Sequence, residues 1–187
     1  MRVIAGTAGG LLLVSPRDAG TRPIADRVKE TLFAILADRV LGSRVLDLYA
    51  GSGAIGIEAL SRGAAHCDFV ERGRPALAVI RENLRRTGLE DRASVHAADV
   101  RQHLARSAGD RYDLVFLDPP YEERAILAPL ERLVQHLAPG ASVVVKHFWR
   151  TPIPEPPGLA RWRERRFGET ALTFLAASSG TDGVEEP

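Results

Sequence analysis

Cysteine is almost absent from this chain of 187 residues, since Cys67 is its single cysteine. One thiol excludes an intrachain disulfide and any metal site built from several cysteines. Cys67 lies in an apolar run, which favours a buried thiol. The five histidines show no spacing typical of metal ligands, so we expect no metal site.

Long hydrophobic runs and a large excess of charge of one sign are also absent. No apolar stretch approaches the roughly 18 residues of a membrane span, and no signal-peptide pattern is found, so we expect a cytoplasmic protein that contacts no membrane. The formal net charge is +1, so no global basic field indicates a polyanionic partner. Lysine is scarce, because Lys29 and Lys146 are the only lysines among 25 basic residues. Contacts with a nucleic acid must therefore come from local groups of arginines.

The order of apolar runs and helical stripes predicts alternating strands and helices from residue 44 onward. Strands are predicted at residues 44–48, 66–71, 93–97, 112–117 and 141–147. Helices are predicted at residues 54–62, 74–87, 100–105 and 122–137. Such alternation is typical of an α/β domain, in which helices cover both faces of a largely parallel sheet.

The amino-terminal residues 1–25 precede this alternation. Residues 2–5 and 11–14 are apolar runs around a glycine-rich loop, and they predict a β-hairpin. An irregular linker follows, and the apolar stripe that begins near Asp26 predicts a helix. We therefore expect a hairpin and linker extension ahead of the α/β alternation.

The carboxy-terminal residues also depart from the alternation. Residues 160–167 and 171–176 predict a terminal hairpin around Gly168. Residues 179–187 are small, polar and acidic, and they predict a disordered tail. We therefore expect a single domain over residues 1–178.

The stretch Asp118-Pro119-Pro120-Tyr121 follows the strand predicted at residues 112–117, at the end where α/β sheets bind ligands. The two prolines stiffen the turn and lack N–H groups, so the loop presents mainly hydrogen-bond acceptors. Asp118 adds a carboxylate, and Tyr121 adds a flat face for stacking. This combination suits a planar group that carries an amino group. A rigid turn with the tyrosine packed over the sheet edge is the alternative.

A glycine loop follows the first strand of the alternation. Gly51, Gly53 and Gly56 fit the spacing of dinucleotide-binding loops, and Glu71 lies 20 residues beyond Gly51. Glycines let the backbone approach a ligand closely, and a carboxylate can accept both hydroxyl groups of a ribose. These residues predict a nucleoside-containing cofactor. A tight turn with a surface glutamate is the alternative.

Two further acids bear on which cofactor is bound. Asp47 lies just before the glycines, where a carboxylate repels a pyrophosphate and attracts an ammonium group. This favours S-adenosylmethionine over NAD, although Asp47 can also tie down the glycine loop through backbone N–H groups. Asp99 follows the third strand and can accept the amino group of adenine or cap the helix that begins at Val100.

These segments together resemble the class I S-adenosylmethionine-dependent methyltransferases, in the branch that methylates amino groups and carries an acid or amide before Pro-Pro-aromatic. Residues 22–33, 47–60 and 118–121 resemble, in this order, the RsmD family, which methylates the exocyclic N2 of one guanine in bacterial 16S ribosomal RNA. The resemblance covers most of the chain. It implies a Rossmann-like fold with a mostly parallel seven-stranded sheet and an amino-terminal hairpin.

The resemblance also implies the roles of individual residues. Asp118 and the Pro119 carbonyl accept the hydrogens of the guanine amine, while Tyr121 stacks on the target base. The implied catalytic residues are Asp118, Pro119, Pro120 and Tyr121. The residues implied to bind S-adenosylmethionine are Asp47, Ala50, Gly51, Ser52, Gly53, Gly56, Glu71, Arg72, Asp99, Val100 and Asp118. Ile24 departs from the family pattern, which usually has threonine there, and Lys146 is a local variation without an assigned role.

Two groups of basic residues are candidates for contacts with RNA. The amino-terminal residues predicted to bind RNA are Arg17, Arg22, Arg27 and Lys29. For Arg27 and Lys29, pairing with neighbouring acids on a solvated helix surface is the alternative. A carboxy-terminal group is interpreted as the exposed face of the terminal hairpin and consists of Arg161, Arg163, Arg165 and Arg166. The expected partner is 16S ribosomal RNA in the small ribosomal subunit, bound by a monomer.

Three other functions use some of the same residues. An amino-methyltransferase acting on adenine N6 or on a protein amide needs the same loop at Asp118, and residues 22–33 favour the ribosomal RNA. An NAD-dependent oxidoreductase fits the glycine spacing but lacks an evident acid–base group. An RNA-binding module without enzymatic activity leaves Asp47, Glu71 and Asp118 unexplained.

Overall fold

We describe the protein from a computed structural model, which covers residues 1–16, 24–106, 109, 111–119 and 124–178. Two of the predicted RNA-binding residues, two of the predicted catalytic residues and the predicted tail lie outside the described residues, namely Arg17, Arg22, Pro120, Tyr121 and residues 179–187. No helix in the described ranges is both long and apolar enough to cross a membrane.

Seven strands of the described residues form one sheet, namely β1 Arg44–Leu48, β2 His66–Glu71, β3 Ala93–Ala97, β4 Tyr112–Leu117, β5 Leu137–Phe148, β6 Leu159–Phe167 and β7 Thr170–Ala177. Their order across the sheet is β3-β2-β1-β4-β5-β7-β6. Strands β1 to β5 run parallel, whereas β7 runs antiparallel to both β5 and β6. The predicted α/β fold with a mostly parallel seven-stranded sheet is confirmed, as is the terminal hairpin.

Helices cover both faces of this sheet. The described α-helices are α1 Asp26–Leu36, α2 Ala54–Ser61, α3 Arg74–Thr87, α4 Val100–Arg106 and α5 Arg124–Leu133. Alternate residues of β1 enter different cores, because Val45 packs with side chains of α1, α2 and α3, whereas Leu46 packs with side chains of α4 and α5. The apolar strands are therefore buried on both sides, as a parallel sheet requires.

The end of α5 differs from the helix predicted over residues 122–137. The α-helix ends at Leu133, a 3-10 turn occupies Val134–His136, and β5 begins at Leu137. Leu137 joins the sheet because it pairs with Tyr112, and a bulge follows before the regular register with β4 resumes. The sequence predicts that this strand begins at residue 141, after Pro139-Gly140. Pairing with Tyr112 instead extends β5 back through these two residues to Leu137.

The amino-terminal segment, residues 1–16, folds back on itself as a short hairpin, with a bridge between Arg2 and Leu12 and backbone hydrogen bonds from Val3 to Leu11, from Gly10 to Val3 and from Leu13 to Met1. The backbone N–H groups of Ile4 and Ala5 donate to the Glu58 carboxylate on α2, at 2.7 and 3.0 Å. These two donors are therefore satisfied by a side chain and not by a further strand. The amino-terminal segment is thus attached to the helical layer.

Asn83 on α3 holds the far end of the amino-terminal segment. Its side-chain oxygen accepts a hydrogen bond from the Val14 N–H at 2.8 Å, and its nitrogen donates to the Val14 carbonyl at 3.0 Å. The same nitrogen donates to the carbonyl of Ser52 at 2.9 Å. Ser52 belongs to the glycine loop, so one buried amide joins the amino-terminal segment to that loop.

Candidate functional site

A cavity of about 360 Å³ opens at the carboxyl edge of the sheet, beyond the ends of β1, β2 and β4. Parallel strands end at the same edge, which is why loops from distant parts of the chain meet there. The residues predicted to bind a cofactor that line this cavity are Asp47, Ala50, Gly51, Ser52, Glu71, Arg72, Asp99, Val100 and Asp118. The structure thus brings together most of the predicted cofactor site.

The glycine loop between β1 and α2 forms one wall of the cavity. Gly51 and Gly53 have φ angles of +57° and +76°, which residues with a Cβ rarely adopt. Gly53 precedes the first residue of α2, and Gly56 lies within α2, where a Cβ would stand 2.4 Å from the ring of Phe69. Gly53 and Gly56 therefore shape the loop and its packing, and their direct contact with a cofactor stays a prediction.

Glu71, at the end of β2, connects two loops that border the cavity. One carboxylate oxygen accepts a hydrogen bond from the N–H of Gly51 at 3.0 Å, and the other accepts one from the N–H of Gly73 at 2.7 Å. The carboxylate is half-buried and lines the cavity, so it keeps acceptor capacity for a ligand hydroxyl.

Asp99 combines the two roles that its position predicts. Its carboxylate accepts a hydrogen bond from the Arg101 N–H at 3.0 Å in the first turn of α4, and it also lines the cavity. Four acids therefore border this cavity, namely Asp47, Glu71, Asp99 and Asp118. Among the residues that the structure describes, no group of three or more His, Cys, Asp or Glu side chains is arranged to hold a metal ion.

Asp47 is the most deeply buried of these acids, with 2% of its surface exposed. Its carboxylate accepts a hydrogen bond from the Gly56 N–H at 3.0 Å, so it does tie down the start of α2. Burial raises the pKa of Asp47 to about 8, and the nearby charges of Asp118 and Glu71 act in the same direction. A cation placed in the cavity would lower this pKa, so Asp47 is poised to receive a positively charged group.

Asp118 follows β4 and is paired with Lys146 on the neighbouring strand β5. The Lys146 ammonium donates to both carboxylate oxygens of Asp118, at 2.8 and 2.7 Å. Desolvation raises the pKa of Asp118, whereas Lys146 acts against this increase both by its charge and by its hydrogen bond. The pair keeps the Asp118 side chain in one orientation at the rim of the cavity, with 31% of it exposed.

Ten residues that line the cavity were not predicted from the sequence, and three of them affect how the site is read. Tyr49 lines the cavity with a left-handed φ of +60°, which is unusual for a residue other than glycine. Pro16 and Ile24 come from the two ends of the stretch that precedes α1, and both line the cavity. The departure from the family pattern at Ile24 therefore lies at this cavity. For Tyr49, the sequence signal that could have predicted its place in the cavity was its position directly before the glycine loop.

The prediction that Lys29 contacts RNA is wrong. The side chain of Lys29 is fully buried, lies 3.1 Å from the carboxylate of Glu58, and donates a hydrogen bond to the carbonyl of Arg2. A buried and paired ammonium cannot reach a phosphate. The neighbouring acids were also the wrong partners for it, because the partner comes from α2. Arg27 is exposed on α1, and its contact with RNA stays a prediction.

Comparisons with known proteins agree with this geometry. The family described as conserved hypothetical protein 95 matches residues 1–176. Ribosomal RNA small subunit methyltransferase D of Escherichia coli K12 is 36% identical over 177 residues, which cover 91% of this chain and 87% of the relative. YlbH of Bacillus subtilis 168 is 37% identical over 179 residues, which cover 93% and 97%. The solved structure of yhhF from Escherichia coli has a TM-score of 0.86 at 32% identity and covers 96% of this chain and 98% of that chain.

Proposed function

Because this chain belongs to the family of ribosomal RNA small subunit methyltransferase D, we propose that it transfers a methyl group from S-adenosylmethionine to the exocyclic N2 of a guanine in 16S ribosomal RNA. The observation that carries the proposal is the position of Asp118, at the rim of a cavity whose other walls suit this methyl donor. A net charge of +1 favours an assembled small subunit over free RNA as the substrate.

The chemistry of the cavity fits S-adenosylmethionine. Asp47 is a buried acid whose charged form needs a cation, and the donor carries an ammonium and a sulfonium. Glu71 suits the ribose hydroxyl groups, and Asp99 suits the amino group of adenine. Four acids around one cavity disfavour the pyrophosphate of NAD. When bound, S-adenosylmethionine supplies an electrophilic methyl group.

Asp118 and Pro119 act on the amino group that receives the methyl. The lone pair of guanine N2 is delocalised into the ring, so the nitrogen must be oriented before it can react. The carboxylate of Asp118 and the carbonyl of Pro119 accept its two hydrogens and hold the amine at the rim of the cavity. Orientation of this kind can lower a barrier by roughly 7–11 kcal/mol. The nitrogen becomes acidic once it is methylated, and Asp118 takes the proton that it loses.

Lys146 positions Asp118 for both tasks. Desolvation alone would favour the neutral acid, which has fewer acceptor sites for an amine. The ammonium of Lys146 favours the carboxylate and fixes its orientation through two hydrogen bonds. Each carboxylate oxygen keeps acceptor capacity beyond its bond to Lys146, and Asp118 lines the cavity at whose rim the target amine is proposed to lie.

The test is methyl transfer to purified small ribosomal subunits from cells that lack this protein, with labelled S-adenosylmethionine. The modified nucleoside is then identified by mass spectrometry. We expect N2-methylguanosine with the wild-type protein and a rate about 100-fold to 1000-fold lower with Asp118→Ala. Methylated adenine or a methylated protein in place of N2-methylguanosine would contradict the proposed acceptor.

A matched control is available on the same strand. Asp113 lies near the opposite end of β4 and accepts a hydrogen bond from the backbone N–H of Arg44 at 2.7 Å. Asp113→Ala removes an acid of the same type away from the cavity, and we expect it to keep the wild-type rate. Equal losses in the two variants would indicate damage to the fold and would remove the support for Asp118 as the residue that binds the amine.

A further inference from the structure

A group of aromatic and basic residues lies at the same edge of the sheet as Asp118. Strand β5 runs parallel to β4, and Trp149 follows its last residue, Phe148. The N–H of Trp149 donates to the carbonyl of Glu169 at 2.9 Å, in the turn between β6 and β7. Since Trp149 is three residues beyond Lys146, it lies roughly 10 Å further along the strand direction.

Two arginines stack on Trp149. The guanidinium carbon of Arg166 lies 3.7 Å from the centre of the indole ring, and that of Arg150 lies 4.6 Å from it. Arg166 also donates a hydrogen bond to the carbonyl of Gly168 at 2.7 Å, which fixes its direction. Both arginines are exposed and Trp149 is half-buried. We refer to Trp149, Arg150 and Arg166 as the Trp149 cluster.

The charges of the Trp149 cluster are not balanced by carboxylates. Within the described part of the chain, neither Arg150 nor Arg166 forms an ion pair, although Glu169 lies in the adjacent turn. Arg161 on the same strand as Arg166 shows the contrast, because it is paired with Glu155 and Glu164. Two like charges next to one indole repel each other, and a nearby anion would offset this repulsion.

Guanidinium groups that stack on an aromatic ring keep their N–H edges free for a phosphate. A substrate that reaches Asp118 must lie along this edge of the sheet. We propose that the Trp149 cluster is a contact surface for the phosphate backbone of the RNA, beside the nucleotide that is methylated. This inference rests on the proposed function, because it takes RNA as the substrate. The Trp149 cluster shares no residue with the amino-terminal group that was predicted to bind RNA.

The test compares two double variants with the same loss of charge. Arg150→Gln with Arg166→Gln removes both guanidiniums of the Trp149 cluster. Arg85→Gln with Arg86→Gln is the control, because these exposed arginines lie in the last turn of α3, toward the opposite edge of the sheet. Thermal unfolding of both variants establishes that they are folded. Methyl transfer to small ribosomal subunits is then measured over a range of KCl concentrations.

We expect the KM for subunits to rise about tenfold in the cluster variant, with kcat unchanged at saturating subunits. The slope of log kcat/KM against log salt should become shallower by roughly 1.4, which corresponds to two lost phosphate contacts on a single strand. The control variant should match the wild type in both quantities. A cluster variant with the KM and salt dependence of the control would overturn the proposal.

Failure of the proposed function gives a different result. If the wild-type protein transfers no methyl group to small subunits, the proposed function is wrong, and binding is measured by co-sedimentation with the same subunits. Weaker binding of the cluster variant than of the control would still support an RNA-binding surface. Equal binding of the two variants would overturn it.

Discussion

The two lysines of the chain both pair with an acid, but the two pairs lie in different surroundings. Lys29 and Glu58 are both fully buried, between the amino-terminal segment and α2. Lys146 and Asp118 lie at the rim of the cavity, where their side chains are 13% and 31% exposed. In the first pair the acid has further protein donors, whereas in the second it faces a space that a substrate can enter.

The two acids differ in how many hydrogen-bond acceptor positions the protein leaves free on each carboxylate. Glu58 accepts hydrogen bonds from two backbone N–H groups and from Arg62 in addition to its contact with Lys29, so its acceptor capacity is filled by the protein. For Asp118, the described contacts of the carboxylate oxygens are those with Lys146. A carboxylate whose acceptor positions are all occupied by protein donors stabilises the fold. A carboxylate with free lone pairs beside a cavity can act on a ligand.

The largest effect is expected from Lys29→Met. This change removes the ammonium and leaves the Glu58 carboxylate buried, so the free energy of unfolding should fall by about 3 kcal/mol. Urea unfolding at pH 7 measures this change in the free energy of unfolding. Arg62 remains next to Glu58 at 2.7 Å, which keeps the loss at the lower end for a broken buried pair.

The matched control for Lys29 is the same substitution at the other lysine. Lys146→Met lies at a partly exposed site, so it should change the free energy of unfolding by less than about 1 kcal/mol. If the two variants lose equal stability, the distinction between a structural pair and a functional pair is wrong.

A smaller effect on stability, of the opposite sign, is expected from Asp47→Asn. Asp47 is about as buried as Glu58 but has no paired lysine, and its pKa is raised to about 8 from 3.8. Since the unfolded chain loses this proton at lower pH, stability falls as pH rises from about 4 to about 8. The asparagine removes this penalty but must bury an amide in place of the acid, which costs roughly 2 kcal/mol, so the variant should be more stable at pH 7 by about 2 kcal/mol.

The pH dependence supplies the control for Asp47. The advantage of Asp47→Asn over the wild type should disappear below about pH 3, where the aspartate is protonated in both folded and unfolded chains. Calorimetric titration should also show weaker binding of S-adenosylmethionine to the variant, because the ammonium loses its carboxylate. A variant that is less stable at pH 7 and binds the donor normally would contradict both parts.

The smallest effect is expected from Lys146→Met on the pH profile of methyl transfer. Without the ammonium, the pKa of Asp118 rises further, so the carboxylate is lost at a higher pH than in the wild type. Transfer at pH 6 should fall by about tenfold relative to the wild type, and the deficit should shrink as pH rises. The measurement is kcat/KM for small subunits between pH 6 and pH 9.

Lys146→Arg distinguishes charge from packing at this position. Arginine keeps the positive charge and can donate to both carboxylate oxygens, so it should restore most of the wild-type pH profile. A uniform loss of activity at every pH in Lys146→Met, with no recovery in Lys146→Arg, would mean that Lys146 only packs against its neighbours.

The sheet could be predicted from the sequence because its strands are local patterns. The bounds of β1 to β4 match the predicted runs, since each is a short, mainly apolar stretch between turn signals. The start of β5 could not be predicted in the same way, because it depends on pairing with Tyr112. The contact of the amino-terminal segment with α2 could not be predicted for a similar reason, since the partner of the Ile4 N–H is a carboxylate 54 positions away in the sequence.

The same distinction between local patterns and long-range contacts applies to the residues of the candidate site. Asp47, Glu71 and Asp118 could be placed from the sequence because each lies at or just beyond the carboxyl end of a predicted strand. The ion pairs of the two lysines could not, because Lys146 meets Asp118 across neighbouring strands and Lys29 meets Glu58 between helices. Those contacts depend on tertiary structure and leave no pattern in the sequence near either residue.

The bonds of the amino-terminal segment also set an order for folding during synthesis. Residues 1–16 leave the ribosome before their partners exist, since Ile4 bonds to Glu58 and Val14 bonds to Asn83, which follow 54 and 69 positions later. The amino-terminal segment therefore cannot dock until α2 and α3 have emerged from the ribosome. Asn83 also donates to the carbonyl of Ser52, so the residue that receives the amino-terminal segment also supports the glycine loop, and both contacts require that α3 has been synthesised.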